Sequence, residues 1–163
     1  MSARAPRFLD ALATLAEGQV EFIVVGGVAA VLEGAPISTF DLDIVHARTP
    51  DNIDRLLAAL RQLEATYRDP GGRRLEPTAE GLVGAGHHLL MTTCGPLDVL
   101  GQIGHGSDWA ALSTHAVTRA LGDLTIHVLG LARQIEIKEE TGRPKDVAML
   151  PVLRRALRER EQG

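Results

Sequence analysis

The sequence predicts an α/β (α+β) chain: a small mixed β-sheet with flanking helices. Three observations carry this. A β-branched run, "EFIVV", passes straight into Gly26-Gly27 and a helix-like segment; a second strand-like run, "TFDLDIV", follows closely; and two hairpin-like segments come later. Strands interleaved with helices early and paired in hairpins late imply a mixed sheet covered by helices rather than one open sheet of parallel strands. At 163 residues the chain fits a single domain over residues 1–163, with C-terminal helices at about 130–160 packed on it. A chain of that size buries about 70% of its unfolded surface, so a core needs no staples.

The elements follow in order. Residues 6–17, "PRFLDALATLAE", set Phe8, Leu9, Leu12 and Leu15 at helical spacing, with Gly18 as a stop. "EFIVV" is apolar throughout, the pattern of a strand buried on both faces. "VAAVLE" reads as a helix ended by Gly34 and Pro36. After the "TFDLDIV" strand, "TPDNIDRLLAALRQLEA" has Thr49 as a candidate N-cap, Pro50 at the first helical position and Asp51 at the positive helix end. "YRDPGGRRLEPTAEGLVGAG" has Pro, Gly and charge without periodicity and reads as a loop with at most one short element. "HHLLMTTCGPLDVLGQI" is a hairpin about Cys94-Gly95-Pro96, and "AVTRALGDLTIHVL" a second one about Leu121-Gly122-Asp123. "LARQIEIKEE" and "PKDVAMLPVLRRALRERE" are two helices separated by Thr141-Gly142, with Pro144 in the first turn of the second and Pro151 expected to kink it.

Composition narrows the function classes. One Trp, one Tyr and three Phe leave few platforms for stacking bases, and a net charge of −4 does not suit a protein that wraps nucleic acid. Fifteen of the seventeen cations are Arg, which makes Lys138 and Lys145 conspicuous. The single cysteine, Cys94, excludes an internal disulfide and reads as a small packed residue in a reducing, cytoplasmic setting. No signal-type apolar segment is expected at the N-terminus, and the longest apolar run, 22–32, is too short to span a bilayer, which takes about 20 residues. His87, His88, His105, His115 and His127 lack zinc-ligand spacing.

Three carboxylates stand out. Asp41 and Asp43 are two residues apart in a strand-like run, so they share a face while Leu42 and Ile44 take the other. Asp98 sits in "GPLDVLGQI" among Leu97, Val99 and Leu100, where an acid is costly unless paired or bound to a cation. Hard divalent cations take oxygen ligands and are commonly held by one or two carboxylates together with substrate phosphates. A third carboxylate on a neighbouring strand would allow a second metal. Gly26-Gly27, between a buried strand and a helix, would let backbone approach a phosphate, though the spacing is neither that of a P-loop nor of a dinucleotide site.

The ordered set "VVGGVAAVLEG", "TFDLDIV", "PLDVLGQI" and "IEIKEETGRPKDVAML" resembles the nucleotidyltransferase superfamily of the DNA polymerase β type, and within it the AbiEii-type and related small bacterial nucleotidyltransferase-like proteins, over roughly residues 22–153. The resemblance implies Mg²⁺ (or Mn²⁺) at Asp41, Asp43 and Asp98, the same three as catalytic residues, and an NTP at Gly26, Gly27 and Thr39. It also implies that Lys138, Arg143 and Lys145 of the "K…GR.KD" segment meet the nucleotide, although these cations and Asp146 would equally complement helix dipoles. Two positions depart from the pattern. Val28 stands where many members carry Ser, and Ile37-Ser38 where relatives often place Arg; both changes remove polar triphosphate contacts.

The function expected is metal-dependent transfer of an NMP from an NTP to a hydroxyl acceptor. The resemblance suggests tRNA or protein as that acceptor, in a toxin–antitoxin or phage-defence setting with a cognate antitoxin and no membrane partner. The first alternative is a nucleotide- or partner-binding module of the same fold that has lost turnover. The second is an antibiotic nucleotidyltransferase, for which Asp69, Glu76 and Glu80 would have to form an acidic drug pocket.

Overall fold

A computed structural model of the chain describes residues 5–68 and 71–162. Helix α1 (Phe8–Glu17) leads into β1 (Phe22–Val25) and α2 (Gly26–Leu32), followed by β2 (Leu42–His46), α3 (Pro50–Gln62), β3 (Thr66–Tyr67) and α4 (Ala79–Leu82). Then come β4 (His87–Thr92), β5 (Gly95–Leu100), the short β6 (Gln102–Ile103) and β7 (Ser107–Asp108), and α5 (Trp109–Ser113). The hairpin β8 (Ala116–Leu121) and β9 (Leu124–Leu129) precedes α6 (Leu131–Thr141) and α7 (Pro144–Gln162).

Seven strands form one mixed sheet in the order β3-β4-β5-β2-β1-β9-β8, and β6 and β7 pair separately. Strand β2 is central, antiparallel to β1 and parallel to β5, while β1 is parallel to β9. The outer pairs are the two hairpins expected from the turn signals, β4 with β5 and β8 with β9, with β3 added antiparallel on the edge.

Strand periodicity assigns the two faces. Val24, Leu42, Ile44, Leu97 and Val99 pack into the larger core with Leu12 and Leu15 of α1 and Ile53, Leu56 and Leu60 of α3. Ile23, Val25, Val45 and Leu100, one residue out of phase, meet Leu112 of α5, Leu129 and Ile137 of α6 on the opposite face. A third cluster, Ala30, Leu131, Ile135, Leu150 and Leu153, joins α2 to the C-terminal helix pair. That pair is also tied down by the buried Glu33, which accepts from Arg119 at 2.6 Å and 2.9 Å and pairs with Arg160 at 3.3 Å.

Several local expectations are corrected. Thr49 occupies the N-cap position of α3 with extended backbone, but its side chain makes no capping bond; Asn52 holds the helix instead, bridging Glu21 and Ala47 backbone at 2.7–3.0 Å. The turn of the first hairpin is Thr93-Cys94, with Gly95 and Pro96 already paired in β5. As expected, the segment after Tyr67 is mostly loop with one short element, α4, while Pro151 lies inside α7. Strand β2 begins at Leu42, so Asp41 lies just ahead of it. No helix among the described residues is long and apolar enough to cross a membrane.

His46 ends β2 on the larger-core face, fully buried, with Nδ1 against the Ala47 carbonyl at 3.1 Å. Burial lowers its pKa to about 4, below the ordinary 6.5, so the folded chain prefers the neutral ring. His88, lowered in the same direction by burial, adds to the effect. The stabilisation from neutral His46 is complete above pH 6.5 and is lost as the pH falls toward 4. For His46 the loss amounts to about 3 kcal/mol, from a pKa gap of about 2.5 units. Urea unfolding between pH 7 and pH 4 is expected to show this acid limb, and His46→Phe to flatten it.

Candidate active site

The register of three adjacent strands explains the acids. Val25 of β1 lies opposite Asp43 of β2, Asp43 opposite Asp98 of β5, and Asp98 opposite Leu89 of β4. These four form one row on the face that carries α5 and α6. The helical cover stops short of this row, leaving a cleft of about 520 Å³. Gly26, Gly27, Thr39, Asp41, Asp43, Asp98, Lys138, Arg143 and Lys145 all line it, so the residues expected to hold metal and nucleotide meet in one place. Glycines and carboxylates form one side of the lining, and the packed group Ala30, Ile37, Met149 and Leu153 gives it an apolar end.

The two glycines serve first to accommodate the acids. Gly26 has φ +67°, and a Cβ there would collide with the Asp43 carboxylate; a Cβ on Gly27 would sit 2.5 Å from the Thr39 hydroxyl oxygen. The first turn of α2 therefore lies directly on Asp43 and Thr39, and Thr39 in turn donates to the Asp41 carbonyl at 3.2 Å. Val28 is buried in the larger core and does not line the cleft, so its apolar side chain takes nothing from the cleft wall. Ile37 and Ser38 do line it, and no cation stands there.

Asp43 is the strained group. Burial, then the neighbouring charge of Asp98 and a hydrogen bond to it, then Asp41, push its pKa up to about 8, with Lys145 pulling the other way. Its Oδ1 is buried and has no hydrogen-bond partner. Two carboxylates in contact cannot both stay ionised without a cation between them. Asp98 has found a cation that sequence reasoning missed: Arg68 Nη2 donates to Asp98 Oδ1 at 2.7 Å. Nothing in the aperiodic stretch around Arg68 marked it in the sequence, because only the pairing of Tyr67 with Leu90 carries it to the sheet face. Gln134, also unmarked, lines the cleft while its Nε2 donates to the Leu129 carbonyl at 2.7 Å.

The C-terminal cations are divided. Asp146 is buried and accepts from Thr141 Oγ at 2.7 Å, Arg143 Nε at 2.8 Å and Lys138 Nζ at 3.3 Å. Burial alone would raise its pKa, but these three partners outweigh it and hold the carboxyl below its ordinary value. Lys138 and Arg143 are thus anchored at the cleft wall by Asp146, a tighter arrangement than dipole complementation. Lys145 is exposed and makes no such pair. Of the three acids named for an acidic drug pocket, Glu76 and Glu80 are exposed and do not line the cleft, and Asp69 lies outside the described residues.

As the side chains stand, no three His, Cys, Asp or Glu among the described residues converge as a ready-made metal cage. The all-oxygen donor set and the unpartnered Asp43 Oδ1 nevertheless suit a hard divalent ion, which ordinarily keeps waters and completes its shell with substrate phosphates.

No known family profile and no curated protein matches the chain. Among solved structures it is similar to the crystal structure of a "putative nucleotidyltransferase" from Thermotoga maritima, with a TM-score of 0.57 over 93% of this chain and 91% of that one, at 16% identity. At that identity the likeness establishes the architecture: the chain has a nucleotidyltransferase-like fold.

Two outcomes are expected. Because the fold favours protonated Asp43, metal-free stability falls as the pH rises from 3.8 toward 8. Asp43→Asn is then expected to stabilise the metal-free protein at pH 8.5 by roughly 2–4 kcal/mol and to add little at pH 4, as read by urea unfolding. Gly26→Ala places a side chain in left-handed backbone against Asp43 and is expected to cost about 1–2 kcal/mol from the backbone alone, with a further loss from the collision.

Proposed function

We propose that the chain is a metal-dependent nucleotidyltransferase that moves an NMP from an NTP to a hydroxyl acceptor. The observation that supports this most is the in-register contact of Asp43 with Asp98 at the floor of a cleft that glycines and cations also line. In this reading Asp41 and Asp43 hold Mg²⁺ or Mn²⁺ on the triphosphate. The ion would polarise the α-phosphate and neutralise charge that develops there.

The chain's own groups do the rest. The Gly26-Gly27 turn lets the triphosphate approach the backbone. Lys145 meets the phosphate charge as a point cation, and Lys138 and Arg143 present theirs from a rigid wall. The apolar end of the cleft takes the nucleoside. The acceptor oxygen attacks the α-phosphorus, the bond to the bridging oxygen of pyrophosphate breaks, and Asp98 receives the hydroxyl proton. Most of the rate enhancement comes from positioning and charge neutralisation.

The AbiEii-like order of motifs supports a toxin–antitoxin or phage-defence role with tRNA or protein as acceptor and an antitoxin as partner. A second reading, a nucleotide-binding module without turnover, draws on the missing cation at Ile37-Ser38. Incubation with each α-labelled NTP, Mg²⁺ or Mn²⁺, and a pool of tRNA and cell protein separates the two. The transferase reading expects label on an acceptor, reduced about 100-fold or more by Asp41→Ala or Asp43→Ala. It also expects a nucleotide with metal at 100 times its Kd to stabilise the native state by about 2.7 kcal/mol. Stabilisation without label transfer favours the module. No stabilisation by any NTP with either metal contradicts both.

A further inference from the structure

We propose that the Arg68 guanidinium is a built-in cation at Asp98, occupying the position a second divalent ion would take, so that the chain binds one divalent ion with its nucleotide instead of two. The inference rests on the nucleotidyl-transfer reading above and refines it.

Arg68 is fixed at three points. Its backbone N–H donates to the Leu89 carbonyl at 3.0 Å, Nη1 to the Leu90 carbonyl at 2.7 Å, and Nη2 to Asp98 Oδ1 at 2.7 Å. Both carbonyls belong to β4, which is paired along its whole length with the strand that carries Asp98. The guanidinium is therefore held by the same strand pairing that places the carboxylate, and a mobile surface side chain would not be. The pair is also largely shielded, with side-chain exposures of 27% and 14%.

Charge points the same way. Ionised Asp41, Asp43 and Asp98 would bring three negative charges, and Arg68 cancels the one on Asp98. A guanidinium does not deprotonate, so a second metal at Asp98 would have to share the carboxylate with a fixed positive charge 2.7 Å from Oδ1, which repels it.

The test counts metal. Equilibrium dialysis of the full chain against Mn²⁺ and a saturating α,β-methylene NTP, with each of the four bases, gives the number of ions bound per protein beyond the nucleotide-only control. The wild type is expected to hold one, Arg68→Lys one, and Arg68→Met two. A count of two for the wild type overturns the proposal and leaves the transferase reading standing, whereas a count of zero with every nucleotide overturns the reading itself. If Arg68→Met still binds the first ion and gains no second, Arg68 is not what excludes it, and the proposal fails. Should Arg68→Met not fold, the wild-type count still decides.

Discussion

Everything at the cleft depends on one contact, that of Asp43 with Asp98 on neighbouring parallel strands. Parallel pairing in register sets the two carboxylates side by side at the centre of the sheet, where no donor among the described residues reaches Asp43 Oδ1. A pair of acids so placed costs stability unless a proton or a cation lies between them. The chain meets half of that demand itself, through Arg68 on Asp98, and leaves Asp43 with a proton that a metal ion can replace.

The surroundings are arranged to keep that site open. Gly26 and Gly27 allow the first turn of α2 to lie on Asp43 and Thr39 with no side chain between. The buried Asp146 holds Lys138 and Arg143 at fixed positions in the cleft lining, and Glu33 with Arg119 and Arg160 secures α7 to the body of the fold. Both anchors are buried carboxylates with Arg partners; Asp146 lines the cleft and Glu33 does not. Apolar packing of Ala30 with Leu131 and Leu153 joins α2 to the C-terminal helices beside the cleft.

The sheet and its helices were legible because hydrophobic periodicity and turn residues mark them locally. The alternation of Asp41, Leu42, Asp43 and Ile44, the Gly-Gly after an all-apolar strand, and Asp98 inside an apolar run were likewise visible as violations of core pattern. Contacts between distant segments were not. Arg68 stands 30 residues from Asp98, in a stretch without periodicity, and only strand pairing joins them. Val28 shows the converse: its departure from the related pattern suggested a weakened phosphate site, yet the helix turns that side chain into the core. Asp146 read as a dipole complement because three of its polar neighbours converge only once α6 and α7 pack.

The central claim is that Asp43 is held in an environment that disfavours its charge until a cation arrives. Carboxyl carbon NMR of the metal-free protein, with Asp43 assigned through Asp43→Asn, measures this directly. The account predicts a titration midpoint near 8, which disappears from the neutral range when Mg²⁺ and a nucleotide are added. A midpoint at the ordinary value of 3.8 would contradict it, for the pair would then need no cation and the cleft would lose its reason to bind one.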